Sequence, residues 1–345
     1  MDVATLPTIA DVREAAERIR PHVHATPVFT SRYFDRAVGA SLFFKCENLQ
    51  KVGAFKSRGA CNAVFCLPDD RAAAGVATHS SGNHGQAVAF AAGLRGIPAT
   101  VVMPRGTTEI KRRAVQGYGA RTVESGPTLA EREGTTQRVA DADGAHVIHP
   151  YDDEDVVAGQ GTVALELMQQ AGPLDALLVP VGGGGLTSGT VLAAAGDAGV
   201  KSDTGVSGGD GADGTGWPAG APVVYAAEPE LADDAYESLR TGVRQPERPP
   251  HTVAEGLRTS LGDITFPLVR DGVREILLVD DREIVAATLA FITRTKLLIE
   301  PSAGVAIAAL LRYRERFAGS RVGVVLTGGN VDLAALGALA EGVDG

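Results

Sequence analysis

A lysine set between an aromatic residue and a small hydroxylated one is the first position in this chain that could do chemistry. Lys56 lies in Gln50-Lys51-Val52-Gly53-Ala54-Phe55-Lys56-Ser57-Arg58-Gly59-Ala60. A solvated lysine titrates near ~10.4 and is a poor nucleophile at neutral pH. In a partly desolvated pocket or at a helix N-terminus the same amine loses proton affinity and can form a Schiff base with a carbonyl. An isolated lysine of this kind would be read as a charge on an exposed turn; three further stretches change that reading. The first is Val181-Gly182-Gly183-Gly184-Gly185, between an apolar strand over 176–181 and a helix over 186–195. Four glycines let backbone N–H groups converge without Cβ obstruction, and the helix start adds partial positive charge, which together make an anion cradle, most often for phosphate. No Gly-Lys-[Ser/Thr] follows and no Gly-x-Gly-x-x-Gly fingerprint is present, so neither a nucleotide P-loop nor a dinucleotide site is expected. Glycines also permit tight strand–helix packing. Paired with Lys56, however, they point to a phosphorylated carbonyl cofactor, its aldehyde on the lysine and its phosphate on residues 182–185. The other two stretches are polar turns at strand ends, Ser80-Ser81-Gly82-Asn83-His84-Gly85 and Thr327-Gly328-Gly329-Asn330.

The elements that must position these groups follow from periodicity. An amphipathic helix is expected over 8–20, with Thr8 at its cap, Asp11 at the third position and Pro21 as its stop. Thr26-Pro27-Val28 is an extended entry, and 41–45 a strand running towards the Lys56 turn, with a helix over 59–67 after it. Strands over 75–80, 99–103, 121–123 and 146–148 then alternate with helices over 86–95, 109–116 and 129–140. The second half repeats the pattern, with strands over 176–181, 223–227 and 321–326 and helices over 158–170, 186–195, 283–295 and 304–317. Such alternation indicates parallel βαβ units. The expected organisation is a small mobile domain over 52–148 inserted in a large domain formed by 1–51 and 149–345. Residues 201–221 break the pattern with seven glycines and the only tryptophan, Trp217. They read as a flexible surface insertion with a fluorescence handle, and a lid is the alternative.

Composition excludes several classes of function. The 345 residues carry a formal net charge of −10, which argues against nucleic acid or anionic membrane as partner. No uncharged apolar run is long enough to span a bilayer, and the N-terminus has no signal-peptide core. Three cysteines, Cys46, Cys61 and Cys66, fit a reducing cytoplasm with no disulfide framework. No room for an appended regulatory domain is expected.

The stretches Phe55-Lys56-Ser57-Arg58-Gly59-Ala60, Ser80-Ser81-Gly82-Asn83-His84-Gly85, 181–185 and Thr327-Gly328-Gly329-Asn330 resemble the serine/threonine dehydratase and serine racemase family. These are pyridoxal-phosphate enzymes of fold type II, the tryptophan-synthase-β fold. The resemblance runs from about residue 8 to 335 outside the insertion. It implies two αβα domains with mainly parallel sheets and a homodimer. It implies that Lys56 binds pyridoxal 5′-phosphate and then removes the α-proton of an amino-acid substrate. Phe55 would pack beside the ring, Asn83 would bind the ring hydroxyl oxygen, Gly182, Gly183, Gly184 and Gly185 the phosphate. Thr327 would face the pyridine nitrogen and leave it unprotonated, a weaker electron sink that favours rapid loss of a β-substituent. Gly256 and Glu300 match further positions lining the ring; a turn and a helix cap are their structural alternatives. Ser80, Ser81, Asn83 and His84 would meet the substrate, with His84 equally readable as a packed residue. Arg132 matches an arginine that reaches the substrate on domain closure, or is a solvated helix charge.

Two features bear on the reaction. Ser81 stands where racemases of the family carry the serine that faces the cofactor opposite the lysine. Tyr151, in His149-Pro150-Tyr151-Asp152, stands where mammalian-type racemases carry asparagine, and an aromatic there is commoner among dehydratases. The expectation is β-elimination from serine, threonine or 3-hydroxyaspartate to an α-keto acid and ammonia. Racemisation through Lys56 and Ser81 is the nearer alternative, and a non-catalytic ligand-binding protein the remote one. In the family's metal-dependent members, Glu228, the carbonyl of Ala232 and Asp234 would bind Mg²⁺, or Ca²⁺ or Mn²⁺, as hard oxygen ligands do. The residues alone also allow a solvated helix start with Asp233 near the cap.

Overall fold

In the computed structural model, which describes residues 6–197, 217–246 and 251–341, ten strands form two sheets. In chain order they are β1 (Val28–Phe29), β2 (Ser41–Cys46), β3 (Val76–His79), β4 (Ala99–Pro104), β5 (Arg121–Ser125), β6 (His146–Val147), β7 (Ala176–Pro180), β8 (Val223–Pro229), β9 (Val273–Val279) and β10 (Arg321–Leu326). The larger sheet has the order β1-β2-β10-β7-β8-β9, parallel throughout except for β1 on β2. The smaller, β5-β4-β3-β6, is parallel throughout and is built wholly from residues 76–147.

Alternation along the strands makes the layers of the larger sheet. Leu178, Val322, Val324 and Leu326 share a core with Ile284, Ala287 and Phe291 of the helix Asp281–Thr295 and with Val305 to Leu310 of the helix Pro301–Arg312. Their neighbours Leu177, Val179 and Val325 point the other way. They meet Val163 and Leu167 of the helix Glu154–Ala171, and Val191 of the helix Gly185–Asp197. A sheet covered on both faces needs strands apolar on both faces, and every residue of β7 is buried. The smaller sheet shares a third core with the helices Lys56–Cys66 and Asn83–Arg95, which also draws in Ile19 and Val156.

Because β10 lies between β2 and β7, the chain leaves three adjacent strand ends within one crevice. The Lys56 stretch follows β2, the tetraglycine follows β7, and Thr327 follows β10. Ligands in open α/β sheets bind at such carboxyl ends.

The expected elements are found, with shifted boundaries where polar turns prove helical. The helix expected from 59 begins at Lys56, that from 86 at Asn83, and that from 158 at Glu154, where the Asp153 carboxylate accepts the Val156 N–H at 2.9 Å. The helix expected over 304–317 runs from Pro301 to Arg312, with a 3₁₀ turn at Arg314–Arg316. Four substantial elements were not anticipated: the helices Arg32–Val38, Thr265–Gly272 and Leu333–Glu341, and β9. Pro267, which reads as a breaker, sits in the first turn of Thr265–Gly272, where no helical N–H is lost. Of the stretch 201–221, residues up to 216 lie outside the described residues; Trp217 is half-buried and packs against the second core. All three cysteines are free. No helix among the described residues is long and apolar enough to cross a membrane.

Candidate active site

Lys56 opens its helix rather than preceding it, and its turn is stitched to the end of β10. Phe55 N–H donates to Thr327 O at 3.0 Å, Gly329 N–H to Gly53 O at 2.9 Å, and Ala54 bridges Gly328. Val52 takes a left-handed φ of 53° there, a rare conformation for a β-branched residue, and its carbonyl accepts from Asn330 Nδ2 at 2.7 Å. The Lys56 amine donates to Pro150 O at 2.8 Å and lies 5.2 Å from the centre of the Phe55 ring. Burial lowers its pKa to about 8. Roughly a tenth of the amine is then unprotonated at pH 7, against well under a thousandth for a solvated lysine.

Arg58, on the same helix, fixes this lysine's frame. Its guanidinium grips Glu47 through Nε and Nη2, both at 2.8 Å, and Glu166 through Nη1 and Nη2, both at 2.9 Å. Lys45 completes the network on Glu166 at 2.6 Å, and Lys45, Glu47 and Arg58 have no exposed side-chain surface. The forks tie the helix to the end of β2 and to the helix Glu154–Ala171.

The four glycines run along the opposite wall. Gly184 has φ +86°, which favours glycine. Gly183 lies flat against Tyr151, where a Cβ would run into the ring. Thr265 Oγ1 donates to Gly183 O at 2.8 Å. Gly185 begins the next helix, so the N–H groups of a helical first turn face the crevice end of β7.

The turn at 80–84 closes a third side. The helix starting at Asn83 leaves its first N–H groups for an anion. Ser80 Oγ accepts from Gly82 N–H at 3.1 Å, and Ser81 is half-buried. His84 is buried; burial, then the Lys56 charge, holds its pKa well below 6.5. Asn83 Nδ2 donates to both Glu300 oxygens at 3.0 and 3.2 Å, and its Oδ1 accepts from Asn330 Nδ2 at 2.9 Å. Burial raises Glu300 to about 7. Thr327 Oγ1 is buried without a hydrogen-bond partner, and Gly256 N–H donates to Ser302 Oγ at 3.0 Å. Lys56, Phe55, Ser80, Asn83, His84, the glycines, Glu300 and Thr327 are thus brought together, from stretches up to 272 residues apart.

Arg132 sits half-buried on the helix Leu129–Asp143, its charge close enough to His79 to lower that pKa. It leads to a cluster that sequence reasoning missed. His79, Glu133 and His149 place one ligand-type atom each within 4.8 Å of one another. The His79 and His149 rings meet edge-on at 5.3 Å, and His149 Nε2 is 3.7 Å from Glu133 Oε1. His149 Nδ1 accepts the Asp152 N–H at 2.9 Å, which leaves Nε2 facing Glu133. Burial is the main cause holding His79 at about 4, a neutral ring whose Nε2 has no hydrogen-bond partner. The available signal was register: Ala77 pairs with Val147, which puts residues 79 and 149 level.

The acidic group expected to bind metal is built at the end of β8. Glu228 is fully buried, and its two oxygens accept the Ala235 and Tyr236 N–H groups at 3.0 and 2.8 Å. It thereby caps the helix Asp234–Thr241 from the preceding strand, while Asp233, at the cap position, makes no side-chain cap bond. Buried Asp234 lies close enough that burial, then its charge, raises Glu228 well above 4.5. Two buried carboxylates that resist joint ionisation, with the buried Ala232 between them in sequence, are a donor set that a hard cation would relieve.

Comparison with known proteins places the chain in one family. Residues 19–328 match the family model described as pyridoxal-phosphate dependent enzyme. The chain is 46% identical over 328 residues to the β-hydroxyaspartate dehydratase of Paracoccus denitrificans, covering 95% of this chain and 98% of that one. It is 41% identical over 334 residues to the serine racemase of Dictyostelium discoideum, covering 95% and 96%. The solved structure of maize serine racemase superposes with a TM-score of 0.88 at 40% identity, covering 98% of each chain.

Proposed function

The chain belongs to the family of pyridoxal-phosphate dependent enzymes, and from that premise we propose that it removes the β-hydroxyl and amino groups of a 3-hydroxy amino acid, releasing an α-keto acid and ammonia. The observation that carries the reading is the half-buried Lys56 amine on the Pro150 carbonyl, next in sequence to the Tyr151 ring against which Gly183 of the tetraglycine packs. The site fits the cofactor in three respects. The glycines leave a path that a Cβ would block, the Thr327 hydroxyl is buried and lacks a hydrogen-bond partner, and Phe55 flanks the amine. Lys56, Phe55, Asn83, residues 182–185, Gly256, Glu300 and Thr327 would hold pyridoxal phosphate. When bound it supplies an aldehyde for the amine and a sink for the electron pair left at Cα.

The chain's own residues do the rest. The helix start at 80–84 holds the substrate carboxylate through N–H groups, with Ser80, Asn83 and His84 around it. Lys56, already depressed in pKa, takes the α-proton. Ser81 stands on the substrate side of the same turn. Loss of the β-hydroxyl as water leaves an enamine that hydrolyses to keto acid and ammonia; serine gives pyruvate, threonine 2-oxobutanoate, and 3-hydroxyaspartate oxaloacetate. Arg132 brings a positive charge close to His79, beyond the turn. Such a charge suits an acidic substrate, in keeping with the hydroxyaspartate named for the Paracoccus relative. Glu228, the Ala232 carbonyl and Asp234 would hold Mg²⁺, with Ca²⁺ or Mn²⁺ as substitutes. The 52–148 segment closes over the substrate, against contacts such as Lys111 on Glu255 at 2.5 Å and Asn83 on Glu300. The enzyme is read as a cytoplasmic homodimer.

Racemisation is the second reading, favoured by Ser81 and by the racemase relative from Dictyostelium. A panel of D- and L-3-hydroxy amino acids tests both. Keto acid should form from at least one member and vanish in a folded Lys56→Ala variant; turnover by that variant rejects the assignment. Chiral analysis of unreacted serine separates elimination from racemisation.

A further inference from the structure

Four consecutive residues, His149-Pro150-Tyr151-Asp152, touch separate parts of the site. Pro150 O accepts the Lys56 amine at 2.8 Å. The Asp152 carboxylate accepts the Asp263 and Ile264 N–H groups at 2.9 and 2.8 Å, just ahead of the helix Thr265–Gly272. Thr265 of that helix donates to Gly183 O, and Gly262 N–H donates to Thr265 Oγ1, both at 2.8 Å. Between these anchors lies Tyr151, 7% exposed, with the His149 ring 4.7 Å away edge-on. A Cβ at Gly183 would run into the Tyr151 ring, and one at Gly185 would come within 3.2 Å of Tyr151 Cα and Cβ.

Resting on the cofactor reading above, we propose that Tyr151 is a positioning residue for the phosphate cradle, the template on which residues 182–185 take their path. Of the four glycines only Gly184 has a left-handed φ. At Gly183 the backbone therefore makes no demand for glycine; the tyrosine ring does. On the other side, a Cβ at Gly184 would meet Leu261 Cδ2 at 2.7 Å and Thr265 Cβ at 2.8 Å. The loop is thus confined between Tyr151 and the start of the Thr265 helix, and its N–H groups are preorganised before any anion arrives. The same tyrosine's backbone continues from Pro150, so the phosphate end and the amine end of the site share one support.

The test is a double-mutant cycle read as ligand affinity. Pyridoxal phosphate is titrated by absorbance, and 4-deoxypyridoxine 5-phosphate, which keeps the phosphate and lacks the aldehyde, by calorimetry. Gly183→Ala should weaken both ligands by about 5- to 150-fold, the range that overpacking produces. Tyr151→Ala should weaken both about tenfold through loss of preorganisation. The double variant should bind at least about fivefold tighter than the product of the two single losses predicts, because the clash is gone. Circular dichroism melts establish that each variant is folded. A double variant whose loss equals or exceeds that product overturns the proposal. Should Gly183→Ala not fold, Tyr151→Phe against Tyr151→Ala decides: the ring-preserving variant should stay within about threefold of wild type, and an alanine variant of wild-type affinity overturns the proposal. Wild-type protein that takes up neither ligand sinks the cofactor reading itself, a result distinct from binding without coupling.

Discussion

Replacing Glu300 by glutamine should remove a defined part of the pH dependence of stability. Glu300 is 9% exposed, and burial raises its carboxyl from 4.5 to about 7, against the pull of the Asn83 amide and the Asn330 backbone N–H; the Glu255 charge adds to the rise. The folded state therefore keeps, up to about pH 7, a proton that the unfolded chain gives up near 4.5. Stability from this group is fully present below the lower value and is lost as pH climbs through the upper one. At ~1.4 kcal/mol per tenfold change in acidity, the loss is about 3 kcal/mol. For a chain of this length that corresponds to roughly 4 °C in Tm. The assay is thermal melting of cofactor-stripped wild type and Glu300→Gln at pH 5, 6, 7 and 8 and constant ionic strength. His79, lowered to about 4, and Asp153, raised to about 6, titrate in both proteins and cancel in the difference. The Tm of the variant minus that of wild type should become more positive from pH 5 to pH 8. Parallel curves, or a difference of the opposite slope, would show that Glu300 is ionised throughout and that the argument from burial is wrong.

Two further outcomes follow from other parts of the molecule. Arg58→Met leaves Glu47 with no exposed surface and without its fork, and should cost about 3–5 kcal/mol in urea unfolding; a loss below ~1 kcal/mol would show that the network does not hold the lysine helix. A chelator should lower both activity and Tm, Mg²⁺ should restore them, and Asp234→Asn should abolish the response. Indifference of the wild type to chelation would leave Glu228 as a helix cap alone.

How much of this was legible in sequence depends on whether the deciding interaction is local. Lys56, the four glycines and the Thr327 turn declare themselves because each is a chemical type in an unusual local setting. The strand order that unites them is not local, but alternation of strands and helices restricts the topologies enough to expect a parallel sheet and a crevice at its carboxyl edge. The helix starts were misplaced by three or four residues at Lys56, Asn83 and Glu154, and always towards the motif. Polar and glycine residues that read as turn are the first helical turn there, where side-chain propensity matters least and free N–H groups are wanted for binding. The His79–Glu133–His149 cluster could not be read at all, because its two histidines are 70 residues apart and meet only through the β3–β6 register, with Glu133 brought in by the helix Leu129–Asp143.

The same distinction explains why Tyr151 carried different information in sequence and in structure. In sequence it is one letter, informative only against a family pattern, and it bears on the choice between elimination and racemisation. In space its ring occupies the volume that Gly183 vacates, while the carbonyl before it holds the lysine and the carboxylate after it holds the turn that leads into the helix bracing the glycine loop. Substrate preference and cofactor grip are then not independent properties of this site. A side chain at 151 chosen for what it does to the substrate would also reset the path of residues 182–185, so exchange of reaction type by changing that residue alone should come with weaker cofactor binding unless Gly183 or Thr265 changes with it.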